Sequence, residues 1–441
     1  MAKNPYEYGK KELVKDPIKP LTEQHKDLLF ESKRFCMLPW IHLHAYPTGE
    51  AYTCCLSDMK YKVGNTKTQS LEEIWNGESM REIRLNMLNN KPSDACLRCY
   101  EQETSGFFSM RLSSNKHFGH NVHFIDDTDH LGRAPMRLTY WDIRFSNLCN
   151  LRCRSCGHIF SSNWYDDQAK LYEENTGLAA TEKWKKENPR LYFAGRHTND
   201  IYDQLESHID DLEQVYFAGG EPLIMEEHYR LLKTLLDKNM KHVRLIYNTN
   251  FTNITYKKLN VLDLWQHFDS VSVGASLDAM GPHAEYIRKG TLWSDVESNR
   301  EEMLKKCPKV DFYISPTLSI LNAFHLTDFH KTWVDRGFIK AQDLNVNILQ
   351  DPVYYRIDIL SEKYKNQLKE QYMEHIDWLR PQDHLTRATT GFESAVNFMQ
   401  ASDKSDILPQ FLARTQQLDK IRDESIVDAI PELKDLLNDI K

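Results

Sequence analysis

The chain has 441 residues, of which 41% are hydrophobic, 27% charged and 11% aromatic. This composition excludes a disordered or low-complexity chain and suits about three structural units, or one large domain with attachments. The 56 basic and 64 acidic residues leave a net charge of −8, which argues against nucleic acid as a partner. No run approaches the roughly 18 consecutive apolar residues of a membrane span.

Nine cysteines stand at 36, 54, 55, 96, 99, 149, 153, 156 and 307. The odd count and the absence of an apolar leader at the start of the sequence argue against a disulfide framework and make the cytoplasm the expected location. Eight of the nine fall in the first 156 residues, in clusters, and that distribution points to metal.

In chain order, residues 1–30 are polar and rich in lysine and proline, and are expected to wrap a neighbouring part or stay mobile. A compact cysteine-bearing segment follows over 31–110, with a turn at Pro47-Thr48-Gly49. Ser70 followed by Glu73 matches a capping box and predicts a short helix there; a second helix is expected over 79–88. After a connector at 111–136, β-rich and helical runs alternate. Strands are expected at 138–145, 214–218, 243–248, 270–276, 310–318 and 344–349. Helices are expected at 226–238, 256–265, 293–305 and 324–336, with a long helical insertion at 161–212. Six such repeats imply a parallel sheet with outer helices, and suit an incomplete barrel better than a closed eightfold one. From 351 to 441 the chain reads as a charged helical tail, broken at Pro381, Pro409 and Pro431.

The first cysteine motif is Cys149-x3-Cys153-x2-Cys156, on a loop leaving the first expected strand. Three thiolates on one short loop can ligate three irons of a four-iron, four-sulfur cube and leave the fourth iron open. The alternative is zinc, although no fourth cysteine or histidine pair stands at standard spacing. Downstream, Ala218-Gly219-Gly220-Glu221-Pro222 ends the second expected strand, Asn248-Thr249-Asn250 the third, Ser276-Leu277-Asp278 the fourth, and Val346-Asn347-Ile348-Leu349 the sixth. Arg288 follows in Tyr286-Ile287-Arg288-Lys289-Gly290.

Taken in this order over about 210 residues, from 137 to 350, the motifs resemble the radical S-adenosylmethionine (SAM) superfamily. The resemblance implies an incomplete (β/α)6 barrel with Cys149, Cys153 and Cys156 on the SAM-binding 4Fe-4S cluster. Gly219, Gly220, Glu221, Pro222, Asn248, Ser276, Asp278, Arg288 and Ile348 are then the expected SAM contacts. Simpler roles stand beside these. Glu221 can serve as a helix N-terminal carboxylate, Ser276 and Asp278 as a turn pair, and Arg288 as half of a surface ion pair. Two positions depart from the superfamily pattern: Ser155 stands where an aromatic residue often precedes the last cysteine, and Phe251 where relatives carry the glycine of Thr-Asn-Gly.

The N-terminal segment reads Cys36-x12-Gly49-x4-Cys54, then Gly64-Asn65, Leu71-Glu72-Glu73-Ile74-Trp75 and Cys96-x2-Cys99. It resembles the twitch domain, a shortened one-cluster relative of the SPASM domain, placed here before the barrel. The resemblance implies an auxiliary iron–sulfur cluster, expected as 4Fe-4S, on Cys36, Cys54, Cys96 and Cys99. Cys55 can replace Cys54, because neighbouring residues of an extended chain point to different sides. A four-cysteine zinc site needs the same ligand count. Trp40 and Trp75 read as core. Cys55 and Cys307 remain as weak candidates for a hydrogen-atom donor, more simply a residue flanking a ligand and a buried small hydrophobe.

The expected activity is reductive cleavage of SAM followed by hydrogen-atom abstraction. The broadest substrate guess is a peptide or protein side chain, the electron source a low-potential donor such as flavodoxin or ferredoxin, and no nucleic-acid or membrane partner is expected. Two other classes remain: an iron–sulfur electron-transfer protein without SAM chemistry, and a zinc-structured binding scaffold.

Overall fold

A computed structural model describes residues 13–106 and 108–439. The chain divides into two compact units, one of residues 1–146 with 193–219, the other of residues 147–192 with 220–441.

The first unit is built on five strands in the order Gln214–Phe217, Tyr140–Ile143, His42–Ala45, Glu50–Tyr52, Gly64–Asn65. The first three run parallel, with Tyr140 opposite Gln214 and His44 opposite Asp142. Two antiparallel pairings follow, His44 with Tyr52 and Glu50 with Asn65. The hairpin turns at Gly49, whose φ of +97° suits glycine. The expected capping box forms: Ser70 Oγ accepts from Glu73 N–H and Glu73 Oε2 accepts from Ser70 N–H, starting helix Leu71–Trp75. Trp40 and Trp75 are buried as expected, and both ring N–H groups find oxygen acceptors, Thr128 Oγ1 and Ala134 O.

Residues 1–12, part of the expected extension, lie outside the described residues. Beyond them the segment is docked: Val14 and Ile18 donate to the carbonyls of Lys116 and His120. Helix Glu23–Lys26 continues into a π-helical turn at Asp27–Glu31 that buries Leu28 and Leu29.

In the second unit, strands Arg244–Thr249, Val271–Ala275 and Asp311–Ile314 pair parallel, Leu245 opposite Val271 and Ser272 opposite Asp311. Thr317–Leu318 pairs parallel with Asn347–Ile348. Helices Glu226–Asp237, Trp293–Lys306 and Leu326–Asp335 alternate with these strands in the chain. The first buries His228, Leu231, Leu232 and Leu235, the spacing of one helical face. The structure is thus mixed α/β with parallel strands.

Two expectations need correction. The helix expected at 256–265 starts only at Val261; a hairpin of Thr255–Tyr256 with Leu259–Asn260 precedes it. Lys257 takes a left-handed φ of +54° in the turn, and the Asn260 side chain caps Leu262 N–H at 2.9 Å, so the start signal lies five residues later than the apolar pattern suggested. The last expected strand shrinks to the two residues Asn347 and Ile348, with an isolated parallel bridge from Leu344 to Ile314 before it. The insertion at 161–212 is helical as expected, in helices Tyr165–Thr176, Leu178–Glu187 and Asp200–Glu206, with Gly177, φ +82°, between the first two.

The C-terminal region folds as helices Glu362–Leu379, Arg387–Gln400, Leu408–Arg422, Ile426–Ala429 and Lys434–Asp439. Leu418 joins Trp164 and Leu171 in a buried cluster on which Cys156 packs. No helix among the described residues is long and apolar enough to cross a membrane.

Candidate metal centres and cofactor site

The Cys149–Cys156 loop is fixed by its own backbone and by polar side chains around it. Cys156 N–H donates to Cys153 O, Cys149 N–H to Ser162 Oγ, and Trp164 Nε1 to Cys153 O at 2.7 Å. Arg152–Cys153 pairs antiparallel with Arg288–Lys289, so Arg288 stands directly opposite Cys153. Asn147, buried before the loop, donates to His158 O and Arg190 O and accepts from Tyr192 N–H. Burial pushes the Cys156 thiol up to about 12, and neighbouring Cys153 adds to it. Burial raises Cys149 and Cys153 as well, although for Cys153 the Arg288 guanidinium, 3.6 Å from its Sγ, works the other way. Such thiols give up their protons when a cation takes the proton's place.

The Gly-Gly-Glu-Pro turn meets this loop directly. Glu221 N–H donates to Leu148 O at 2.7 Å. Gly220 has φ +53°, and a Cβ there would sit 2.3 Å from Leu148 O. Gly219 has φ +77°, and its Cβ would strike the Arg144 side chain at 2.6 Å. Only glycine fits either place. Pro222 starts a short 3-10 turn, and Glu221 caps it by accepting from Leu223 N–H. The same carboxylate accepts from Thr249 Oγ1 and Asn250 N–H, both at 2.7 Å. Burial raises its pKa to about 7 against these three donors. The capping role thus exists in the structure, and the carboxylate also ties the third strand end to the turn.

At the other strand ends, Asp278 and Arg288 face each other. Arg288 Nε and Nη2 donate to Asp278 Oδ2 and Oδ1 at 2.7 and 3.0 Å, and Thr317 N–H donates to Oδ1. Both ends of the pair are largely buried, so it is no surface ion pair. Ser276 N–H donates to Thr249 O. Asn248 is exposed and Ile348 half-buried. Phe251 keeps a left-handed φ of +57° although fully buried against Phe312.

In the first unit, Cys36, Cys54, Cys96 and Cys99 lie within electrostatic reach of one another. Burial raises Cys36, and Cys96, Cys99 and Cys54 each add to that rise. Burial and then Cys54 lift Cys96 to about 12 and Cys99 to about 11. Burial raises Cys55, Asp142 and then Cys54 add to the rise, and Arg144 opposes it. Cys307 is buried at a helix end and donates to Leu262 O at 3.2 Å, a packing role.

A tetrahedral zinc with bonds of about 2.3 Å would hold thiolates about 3.8 Å apart. Among the described residues, no three cysteine sulfurs stand within 4.8 Å of one another. Both sets are therefore more open than a zinc thiolate site.

Several supporting residues carry no motif. Asn115 accepts from Met37 N–H and donates to Phe35 O, and Arg111 donates to Phe35 O, so Cys36 is pinned from both sides. Arg111 pairs in turn with buried Glu103 at 2.7 Å. Asn150, Asn250 and Thr252 form a ring of side-chain hydrogen bonds at 2.7–2.9 Å that joins the cysteine loop to the third strand end. Short polar residues beside glycine-free turns are a weak signal, and nothing in their spacing reveals a partner 100 residues away.

Comparison with known proteins agrees on the first unit. Residues 36–100 match the SPASM family, an iron–sulfur cluster-binding domain. No curated protein matches the chain. Among solved structures the chain is similar to native anSMEcpe with bound AdoMet and Cp18Cys peptide, at 18% identity and TM-score 0.35, over 54% of this chain and 60% of that one. It is also similar to TYW1 with a lysine-pyruvate adduct bound, at 14% identity and TM-score 0.27, over 55% of this chain and 70% of that one. The chain thus spans about 60% of the length of anSMEcpe, and the functional reading rests on its own residues. Its residues 36–100, which hold Cys36, Cys54, Cys96 and Cys99, carry the SPASM iron–sulfur signature.

Proposed function

We propose that the chain is a radical SAM enzyme with an auxiliary iron–sulfur cluster. One observation carries the reading: three thiols on one loop, within electrostatic reach of one another, lie against a glycine turn that admits no side chain. Cys149, Cys153 and Cys156 would hold the site cluster; Cys36, Cys54, Cys96 and Cys99 would hold the auxiliary one. When bound and reduced, the site cluster supplies the electron that cleaves the SAM carbon–sulfur bond, giving a 5′-deoxyadenosyl radical that takes a hydrogen atom from substrate.

The chain's own residues have definite tasks in that scheme. The turn at Gly219 and Gly220 gives a ligand close access to backbone. Glu221 holds that turn to the third strand end and keeps one lone-pair position for an ammonium group. Asp278 and Arg288 hold each other beside Cys153, a ready pair for a zwitterionic ligand. Asn248, Ser276 and Ile348, at strand ends, complete the SAM contacts. A peptide or protein side chain is the substrate class, reduction comes from a flavodoxin- or ferredoxin-like donor, and the setting is cytoplasmic. The strands and alternating helices suit an incomplete (β/α)6 barrel.

Anaerobic reconstitution with iron and sulfide, then SAM and dithionite, tests the reading. The expected result is about eight irons per chain and 5′-deoxyadenosine as product. Substituting alanine for Cys149, Cys153 and Cys156 together should abolish cleavage and leave the auxiliary iron. Undiminished cleavage in that variant would refute the assignment; zinc at both sites would favour a binding scaffold, and iron without SAM cleavage an electron-transfer protein.

A further inference from the structure

Away from the cysteine sites, His283, His325 and Glu432 converge, one ligand-type atom of each within 4.8 Å of the other two. They come from the helix Gly281–Ile287, the residue preceding helix Leu326–Asp335, and the 3-10 turn Pro431–Leu433. His283 is buried, and its Nε2 lies 2.6 Å from Leu321 O. A carbonyl only accepts, so Nε2 carries the hydrogen and Nδ1 the lone pair, the usual arrangement of a ligating histidine.

His325 is poorly served by its protein neighbours. Its Nδ1 stands 3.4 Å from Glu432 Oε1, and its Nε2 3.5 Å from Met280 N–H. Both separations exceed the roughly 2.9 Å of a good hydrogen bond. A tetrahedral zinc with bonds of about 2.0–2.1 Å to nitrogen and oxygen sets those ligands about 3.3 Å apart. The His325–Glu432 distance thus fits two ligands of one ion better than a donor and its acceptor. Two imidazoles and one carboxylate are a zinc donor set, with a fourth position for water.

We propose that His283, His325 and Glu432 bind a divalent transition-metal ion, zinc being the expected one. The ion joins the C-terminal segment that carries Glu432 to the helix that leads into Arg288. It is separate from the two cysteine sites and does not depend on SAM chemistry.

The test counts metal in full-length protein whose iron–sulfur sites have been reconstituted, so that thiols do not compete for zinc. His283 is buried, so the variants are Glu432→Gln and His325→Ala. After equilibration with zinc alone at about 100 µM and removal of loose ion, wild type should retain about one zinc per chain and each variant about none. Hydrogen exchange over 425–439 should slow with zinc in wild type only. Equal zinc in wild type and variants, or none in wild type, would overturn the site. Because the readout is zinc, its failure is distinct from failure of SAM cleavage.

Discussion

Phe251 and Asp142 show how much a single buried residue decides here. Phe251 sits where glycine would be unstrained, and its left-handed backbone costs about 1–2 kcal/mol. Its fully buried ring returns more, since emptying a phenylalanine site costs about 3–5 kcal/mol. Phe251→Gly should therefore destabilise the protein by about 2–3 kcal/mol by denaturant unfolding, despite relieving the backbone; a stabilised variant would show the cavity argument to be wrong. Asp142 is fully buried beside His44 at 3.0 Å. Burial pushes its carboxyl up, but His44, with Arg144 and His42, outweighs that and holds it at about 2. A carboxyl depressed in the folded state adds stability above its unfolded pKa of about 3.9 and loses it as pH falls through the folded value. About 2–3 kcal/mol should disappear between about pH 4 and pH 2. Asp142→Asn, less stable at neutral pH, should lack that share of the acid slope in equilibrium unfolding.

At the scale of elements, the meeting of the glycine turn with the cysteine loop is the most demanding contact. In Gly220→Ala the new Cβ would lie 2.3 Å from a backbone oxygen, which has no rotamer by which to retreat. The turn must shift, and a misplacement of about 1 Å can cost 100-fold in rate. Formation of 5′-deoxyadenosine should fall at least tenfold by this argument, with iron content and circular dichroism near wild type. A variant as active as wild type would remove the turn from the SAM site. The motif itself was legible in the sequence, as was the capping box at Ser70 and Glu73, because each lies within a few consecutive residues. The late start of helix Val261–Trp265 was not, because the apolar spacing before it suits a hairpin and a helix equally.

Across the second unit as a whole, the C-terminal helices hold the cysteine loop from a distance. Arg154, between two cysteines, pairs with Asp419 and with Glu424 at 2.7 Å, and lies over the Tyr286 ring at 3.6 Å. Tyr286 also donates to Asp419, and Arg422 donates to buried Asp167 at 2.8 Å. Removing one partner of a buried pair leaves an uncompensated charge, at a cost of about 3–5 kcal/mol. Asp419→Ala should lower unfolding stability by that order and slow iron incorporation at the loop. Lys420→Ala, one residue on, breaks an exposed pair with Glu174 and should change stability by less than about 1 kcal/mol. Equal effects would mean that burial does not govern the clamp.

Short-range order was readable from the residues alone. Cysteine spacing, glycine pairs, caps and the alternation of strands and helices all lie within one or two turns of chain, where covalent geometry limits the choices. Partners of buried polar groups were not readable. Arg154 and Asp419 are 265 residues apart, Asn115 and Phe35 are 80 apart, and Glu221 takes two of its three donors from a strand end 28 and 29 residues on. The same holds for His283, His325 and Glu432, which no spacing rule connects. A buried charge or donor must find a partner, but the sequence states only the need. Which partner answers it depends on which elements the packed core brings together.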